Sequence, residues 1–294
     1  MDMLKFSVGA GFAQAVFLLA CAPLVVGIIN KTKAIMQKRR GASIFQEYFD
    51  LYKWWQKPVI LTPYTTTVFK IAPLIYLTTS IMAAFMTPGI ISGTFSFGDA
   101  FIFVYVLALG RFFMTLGSLD AATAFGGMGG SREIYLSVLV EPAVMLAILV
   151  NATRYGSTTL SQMVIDYDTF YFTVSAVLTS VAFFLVMLAE NCRLPVDNPD
   201  THLELTMIHE CMTLEYSGRL LSYIHLGSML KILVFLVIFS TLYLPLSLPL
   251  ALKVLFSALL VGVVETLNNK MRLFKIRVYL GAALVLLVLS VIAQ

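Results

Sequence analysis

GDAFIFVYVLALGRFFMTLGS, residues 98–118, is an apolar run whose interior is broken by a single charge, Arg111. A helix needs about 20 predominantly apolar residues to cross the hydrocarbon core of a bilayer, and this run supplies them. Outward from it, seven further stretches of similar character lie at about 6–29, 66–88, 133–153, 170–190, 224–245, 249–268 and 276–293. The 294 residues are 59% hydrophobic and 12% charged, with a mean hydropathy of +0.89. A soluble fold of that composition would expose more apolar surface than it could bury, so the solvent is lipid. The expected fold is an all-α polytopic membrane protein of about eight transmembrane helices, read as one domain over 1–294. The opening MDMLKF carries Asp2 and leads into a long apolar run without a small-residue cleavage site, which reads as a retained first span.

Lys and Arg set the expected orientation. Lys31, Lys33, Lys38, Arg39, Arg40, Lys53 and Lys57 follow the first span, whereas the loop between the second and third spans has no Lys or Arg. The alternation continues with Arg132, with Arg193 and Arg219, and with Lys270, Arg272, Lys275 and Arg277. These loops are therefore expected on the cytoplasmic side of the inner (plasma) membrane, with both termini outward. Basic residues spread over separate membrane-flanking loops account for the net charge of +4 and speak against nucleic acid as a partner. Residues 43–57 (SIFQEYFDLYKWWQK) place Ile44, Tyr48, Leu51 and Trp55 on one side, the pattern of an interfacial amphipathic helix with Trp54 and Trp55 at headgroup level. Thr62-Pro63 restarts the chain toward the second span.

A charge near mid-bilayer costs at least about 2.5 kcal/mol on insertion scales, so each one inside a span must face protein or water. Arg111 lies too deep to snorkel. Glu141 is expected about two turns into the fourth span, before Pro142, which frees a backbone carbonyl. Lys231 and Glu265 also fall within spans. Lys70 and Glu190 lie near span ends, where snorkelling to the interface is the competing explanation. For Arg111 and Glu141 the competing explanation is a structural ion pair. The segment at about 191–221 holds Asp197, Asp200, Glu204, Glu210 and Glu215 with His202 and His209, against the basic trend of its side of the membrane. Crowded acids share protons, which suits proton uptake; a solvated acidic loop is the alternative, and Leu203, Leu205, Met207, Ile208 and Leu214 argue that the segment packs.

Several signals fail. Cys21, Cys192 and Cys211 form no C-x-x-C, so no iron–sulfur, thiolate zinc or disulfide framework is encoded locally; no cofactor is expected in this chain. His209-Glu210 lacks the second His of a zinc-protease helix, Thr213 standing there. Gly126-Gly127-Met128-Gly129-Gly130 has no phosphate-loop spacing and reads as a flexible turn before Ser131, an expected helix N-cap.

In order and spacing the segments resemble one family: respiratory complex I subunit 1 and the related membrane subunit of formate hydrogenlyase and other group 4 energy-converting nickel–iron hydrogenases. The resemblance runs along nearly the whole chain. It is carried by Gln37 to Gly41 with Gln46-Glu47-Tyr48, by Arg111-Phe112-Phe113, Gly117 to Asp120, Ser131-Arg132-Glu133 and Val140-Glu141-Pro142, and by Leu194 to Asp197, Glu204-Leu205 and Glu215 to Gly218. Ala42 after Gly41, where the complex I branch has Pro, and the content of 198–211 depart from that branch. The resemblance implies a subunit that is not catalytic alone. It would dock a hydrogenase-like or dehydrogenase-like peripheral arm holding iron–sulfur clusters and, in the hydrogenase case, a nickel–iron centre, beside antiporter-like membrane subunits and lipid. It implies Glu133, Glu141, Glu204, Glu210 and Glu215 as a proton or ion path, with Arg111 and Arg132 as compensating charges. Asp120, Asp197, Lys231 and Glu265 are further supporting charges. Three functions compete: a membrane subunit coupling electron transfer to proton or sodium movement in a hydrogenase-type complex, a quinone-site subunit of a complex I-type dehydrogenase, and a stand-alone secondary transporter. The last has no visible internal repeat behind it.

Overall fold

The computed structural model describes residues 2–88, 98–164, 173–197, 207–244 and 248–294, with side chains from Gly9 onward. Ten helices follow in order: α1 (Asp2–Met36), α2 (Gln46–Gln56), α3 (Thr67–Met86), α4 (Ala100–Asp120), α5 (Ala124–Tyr155), α6 (Val174–Glu190), α7 (His209–Thr213), α8 (Gly218–Leu242), α9 (Leu250–Leu267) and α10 (Leu273–Ile292). Seven are long and apolar enough to cross a membrane and α6 is a shorter apolar helix, so the eight expected spans correspond to eight apolar helices. Polar side chains start four of them: Thr66, Asp99, Thr123 and Thr173 each accept a backbone N–H of the first turn. Each cap satisfies one of the first-turn N–H groups that a helix leaves without an intrahelical partner.

α8 occupies the centre. Every residue from Met229 to Leu242 is buried, as an all-round apolar helix requires. It touches α1, α2, α3, α6 and α9, while α5, α6 and α10 pack together beside it and α4 joins α3 to α5. Phe103, Phe183, Phe235, Phe239 and Tyr243 stack through the middle, and the Tyr243 hydroxyl donates to the Ala147 carbonyl at 2.9 Å. Outward, α10 exposes Phe274, Val278 and Val285, surface that lipid solvates.

Three expectations change. The fourth span begins at Ala124, capped by Thr123, so the glycine segment is the first turns of α5 and Ser131 lies inside the helix. Its glycines permit close packing: a Cβ on Gly129 would lie 2.9 Å from Cys211 Cβ and 3.0 Å from Met212. Glu141 therefore sits mid-helix. The first helix runs on to Met36, past the expected end near 29. The amphipathic helix forms, but its inward residues are Glu47, Tyr48, Leu51 and Trp54, while Ile44 and Trp55 are exposed. Trp54 stacks on His225 of α8 with ring centroids 4.4 Å apart, and Asn30 of α1 donates to Glu47 at 2.8 Å. Helix-to-helix contacts, more than headgroups, decide which face turns inward.

Candidate functional site

Arg111 and Glu133 each lie nine residues from the turn joining α4 to α5, so the antiparallel pair brings both to the same depth, about 13 Å from that turn at 1.5 Å per residue. The Arg111 guanidinium is the hub of a buried ion cluster. Its Nε lies 3.3 Å from Glu133, its Nη1 donates to Glu141 at 3.1 Å, and its Nη2 is paired with Glu190. Lys231 of α8 pairs with the Glu190 carboxylate at 2.8 Å and donates to its backbone carbonyl at 2.9 Å, capping the end of α6. Three carboxylates thus share two cations. Arg111, Glu133, Glu190 and Lys231 are buried, whereas the Glu141 side chain is 39% exposed on the outside of the bundle.

A cavity of about 560 Å³ connects this cluster to the end of the bundle where α1, α4 and α9 stop. Glu133, Glu190, Arg111 and Lys231 form its floor. Glu47, Asp50 and Trp54 of α2, with His209 and Glu210 of α7, line it nearer the loops. Burial holds the His209 imidazole below its usual proton affinity and so favours the neutral ring, against a smaller opposing effect of the Glu210 carboxylate. Burial, reinforced by the Glu133 carboxylate, pushes the Cys192 thiol well above its usual value, so it serves as an S–H directed at Glu133, 3.9 Å away.

A second ion cluster lies beside the first. Glu265 of α9 pairs with Lys33 of α1 at 3.0 Å and with Arg193 at 3.3 Å. Asp197 pairs with Lys270 at 2.8 Å and accepts the backbone N–H groups of Ile208 and His209 at 3.0 and 3.2 Å.

Of the residues expected from sequence, the structure brings together Arg111, Glu133, Glu141 and Lys231, and places Glu210 on the cavity wall. Glu215 is half-buried and does not line the cavity. Asp200, His202 and Glu204 lie outside the described residues. Arg132 compensates no carboxylate of the cluster: it donates to the Met207 carbonyl at 2.8 Å and tethers the segment leading into α7. Asp120 also stands apart, accepting the backbone N–H groups of Thr66 and Phe69 at 2.8 and 3.2 Å at the start of α3. Asp197 and Glu265 belong to the second cluster. Glu190 is the residue that sequence reasoning left among interfacial side chains. The only signal was the short apolar stretch Leu194-Pro195-Val196, which resumes beyond the polar Asn191 and the charged Arg193.

Comparison with known proteins identifies the family and the fold. The family model described as NADH dehydrogenase matches residues 10–293. Hydrogenase-4 component C of Escherichia coli (strain K12) is 33% identical over 225 residues, 74% of this chain and 70% of that protein. Formate hydrogenlyase subunit 4 of the same organism is 32% identical over 230 residues, 76% of this chain and 73% of that one. A chain in the structure of the membrane-bound sulfane sulfur reductase, an archaeal respiratory membrane complex, superposes with a TM-score of 0.81 at 17% identity, covering 96% of this chain and 99% of its own, which shows the shared fold. The chain is a multi-pass, complex I-like membrane subunit and belongs to the NADH dehydrogenase family, with homologues among the membrane subunits of hydrogenase-4 and formate hydrogenlyase.

Proposed function

We propose that this subunit anchors a peripheral redox arm and couples the arm's electron transfer to translocation of protons or sodium ions, with Glu133, Glu141 and Glu190 around Arg111 as the coupling centre. The observation that carries the reading is the imbalance of the cluster: three carboxylates face two cations at hydrogen-bonding distance, which leaves one carboxylate able to hold an exchangeable proton or cation. The cavity leads to the cluster from the loops expected to be cytoplasmic, and Glu210 lies on its wall. Glu141 opens on the outer face of the bundle at mid-helix, where a carboxylate left to lipid is costly. An antiporter-like membrane subunit seated there would cover it and receive the ion. The relatives' names place them in hydrogenase-4 and formate hydrogenlyase, which supports a hydrogenase-like arm whose iron–sulfur clusters and nickel–iron centre reside in partner chains. The reading sets the subunit in the inner (plasma) membrane with both termini outward.

In the purified complex, Glu141→Gln is expected to leave assembly and electron transfer by the arm largely intact while lowering ions translocated per electron. Unchanged coupling would make Glu141 structural. A complex purified without an iron–sulfur partner would sink the whole reading. The cavity favours a second reading, a quinone held between α2 and α7 near the stacked Trp54 and His225; inhibition by quinone-site inhibitors would select it.

A further inference from the structure

The chain reverses between the two ion clusters within a few residues. α6 ends at Glu190, Cys192 takes a left-handed φ of 48°, and the Cys192 and Arg193 N–H groups donate to the Ala189 and Leu188 carbonyls at 3.1 and 2.9 Å. This is a Schellman cap. It sends Glu190 to Arg111 and Lys231 on one side and Arg193 to Glu265 on the other. Glu190, Arg193 and Glu133 nevertheless line the same cavity. Arg193 is a long cation beside a carboxylate cluster that has one anion more than it has cations. Glu265, fully buried and braced by Lys33, takes the Arg193 guanidinium instead.

We propose that Glu265 is a positioning residue: it holds Arg193 on the α1–α9 side of the cavity and so keeps the guanidinium off Glu133 and Glu190. The proposal rests on the coupling reading above. Without the Glu265 charge, Arg193 loses its counter-ion in a buried setting and turns across the cavity that it shares with Glu133 and Glu190. There it supplies the missing positive charge, and the carboxylate that would carry the exchangeable ion becomes locked in a salt bridge. Asp197 serves the same strip of chain from the other end. It fixes the Ile208 and His209 amides and pairs with Lys270, so a freed Arg193 moves as a side chain on a held backbone.

The test uses the whole complex reconstituted in liposomes, with electron transfer and ion translocation measured together. Glu265→Gln is expected to retain electron transfer and lower ions moved per electron about fivefold, the low end of the usual range for coupling between sites. Glu265→Asp, which keeps the charge, restores most of the ratio. Arg193→Gln added to Glu265→Gln also restores it, because no cation is left to swing; a purely architectural pair would be rescued in the same way through stability, so thermal unfolding of each variant is measured alongside, and a coupling ratio that only follows the unfolding temperature overturns the proposal. Where Glu265→Gln alone does not assemble, Lys33→Met/Glu265→Gln removes one cation together with the anion and carries the same expectation. A normal ratio in either assembled variant, or no rescue by Arg193→Gln, overturns the proposal. If the unaltered complex moves no ion, the coupling reading fails; if it does and Glu265→Gln matches it, only the positioning role fails.

Discussion

Arg111 contacts three carboxylates, and that asymmetry ranks the variants of the cluster. Arg111→Gln leaves Glu133 and Glu190 buried with Lys231 as their remaining cation, and removing one partner of a buried ion pair costs about 3–5 kcal/mol. Glu141→Gln alters a side chain that is 39% exposed, where solvent or a covering subunit compensates, so its cost is expected under about 1 kcal/mol. Thermal unfolding of the purified complex should show Arg111→Gln far below Glu141→Gln; equal losses would contradict the hub. At this scale the sequence was legible in part. Arg111, Glu141 and Lys231 announce themselves as charges that lipid forbids. Glu190 does not, because an acid ending an apolar run looks like an interfacial one. α6 is 17 residues, about 25 Å, and its end lies inside the bundle, level with Arg111, because the chain after it turns inward and not out to water.

The end of α6 also governs the element scale. Cys192 occupies the left-handed position that helix caps usually give to Gly, a conformation costing an ordinary residue about 1–2 kcal/mol. Cys192→Gly is expected to keep or raise the unfolding temperature, and Cys192→Val to lower stability by about 1–2 kcal/mol, since a β-branched side chain fits that region worst. Matching unfolding curves for the two would show that the cap carries no strain. The glycine run in α5 teaches a related lesson. Gly126 to Gly130 read locally as a turn, yet the segment is helical because α7 packs on it so closely that a side chain at Gly129 has no room. Propensity is local, and the tertiary partner prevailed. In α2 the periodicity correctly marked a helix, but the packing of Trp54 on His225 and of Glu47 by Asn30 decided which face turned inward.

For the whole molecule, the cavity, both ion clusters and the loops after α1, α4, α6 and α9 share one end of the bundle. If the basic loops are cytoplasmic, Ser43→Cys is labelled by a membrane-impermeant maleimide in inside-out vesicles and Gln294→Cys only in right-side-out ones. The opposite pattern would invert the expected direction of ion entry. The number, order and rough limits of the spans, and the existence of a helix between the first two, were set by the sequence itself, because apolar length and Lys/Arg placement act residue by residue against the bilayer. Which charges meet was decided only by the tertiary structure. Arg111, Glu133, Glu190 and Lys231 come from four helices, and Glu265 reaches Lys33 from the far end of the chain. Such pairings depend on helix depth and rotation, which no single segment encodes.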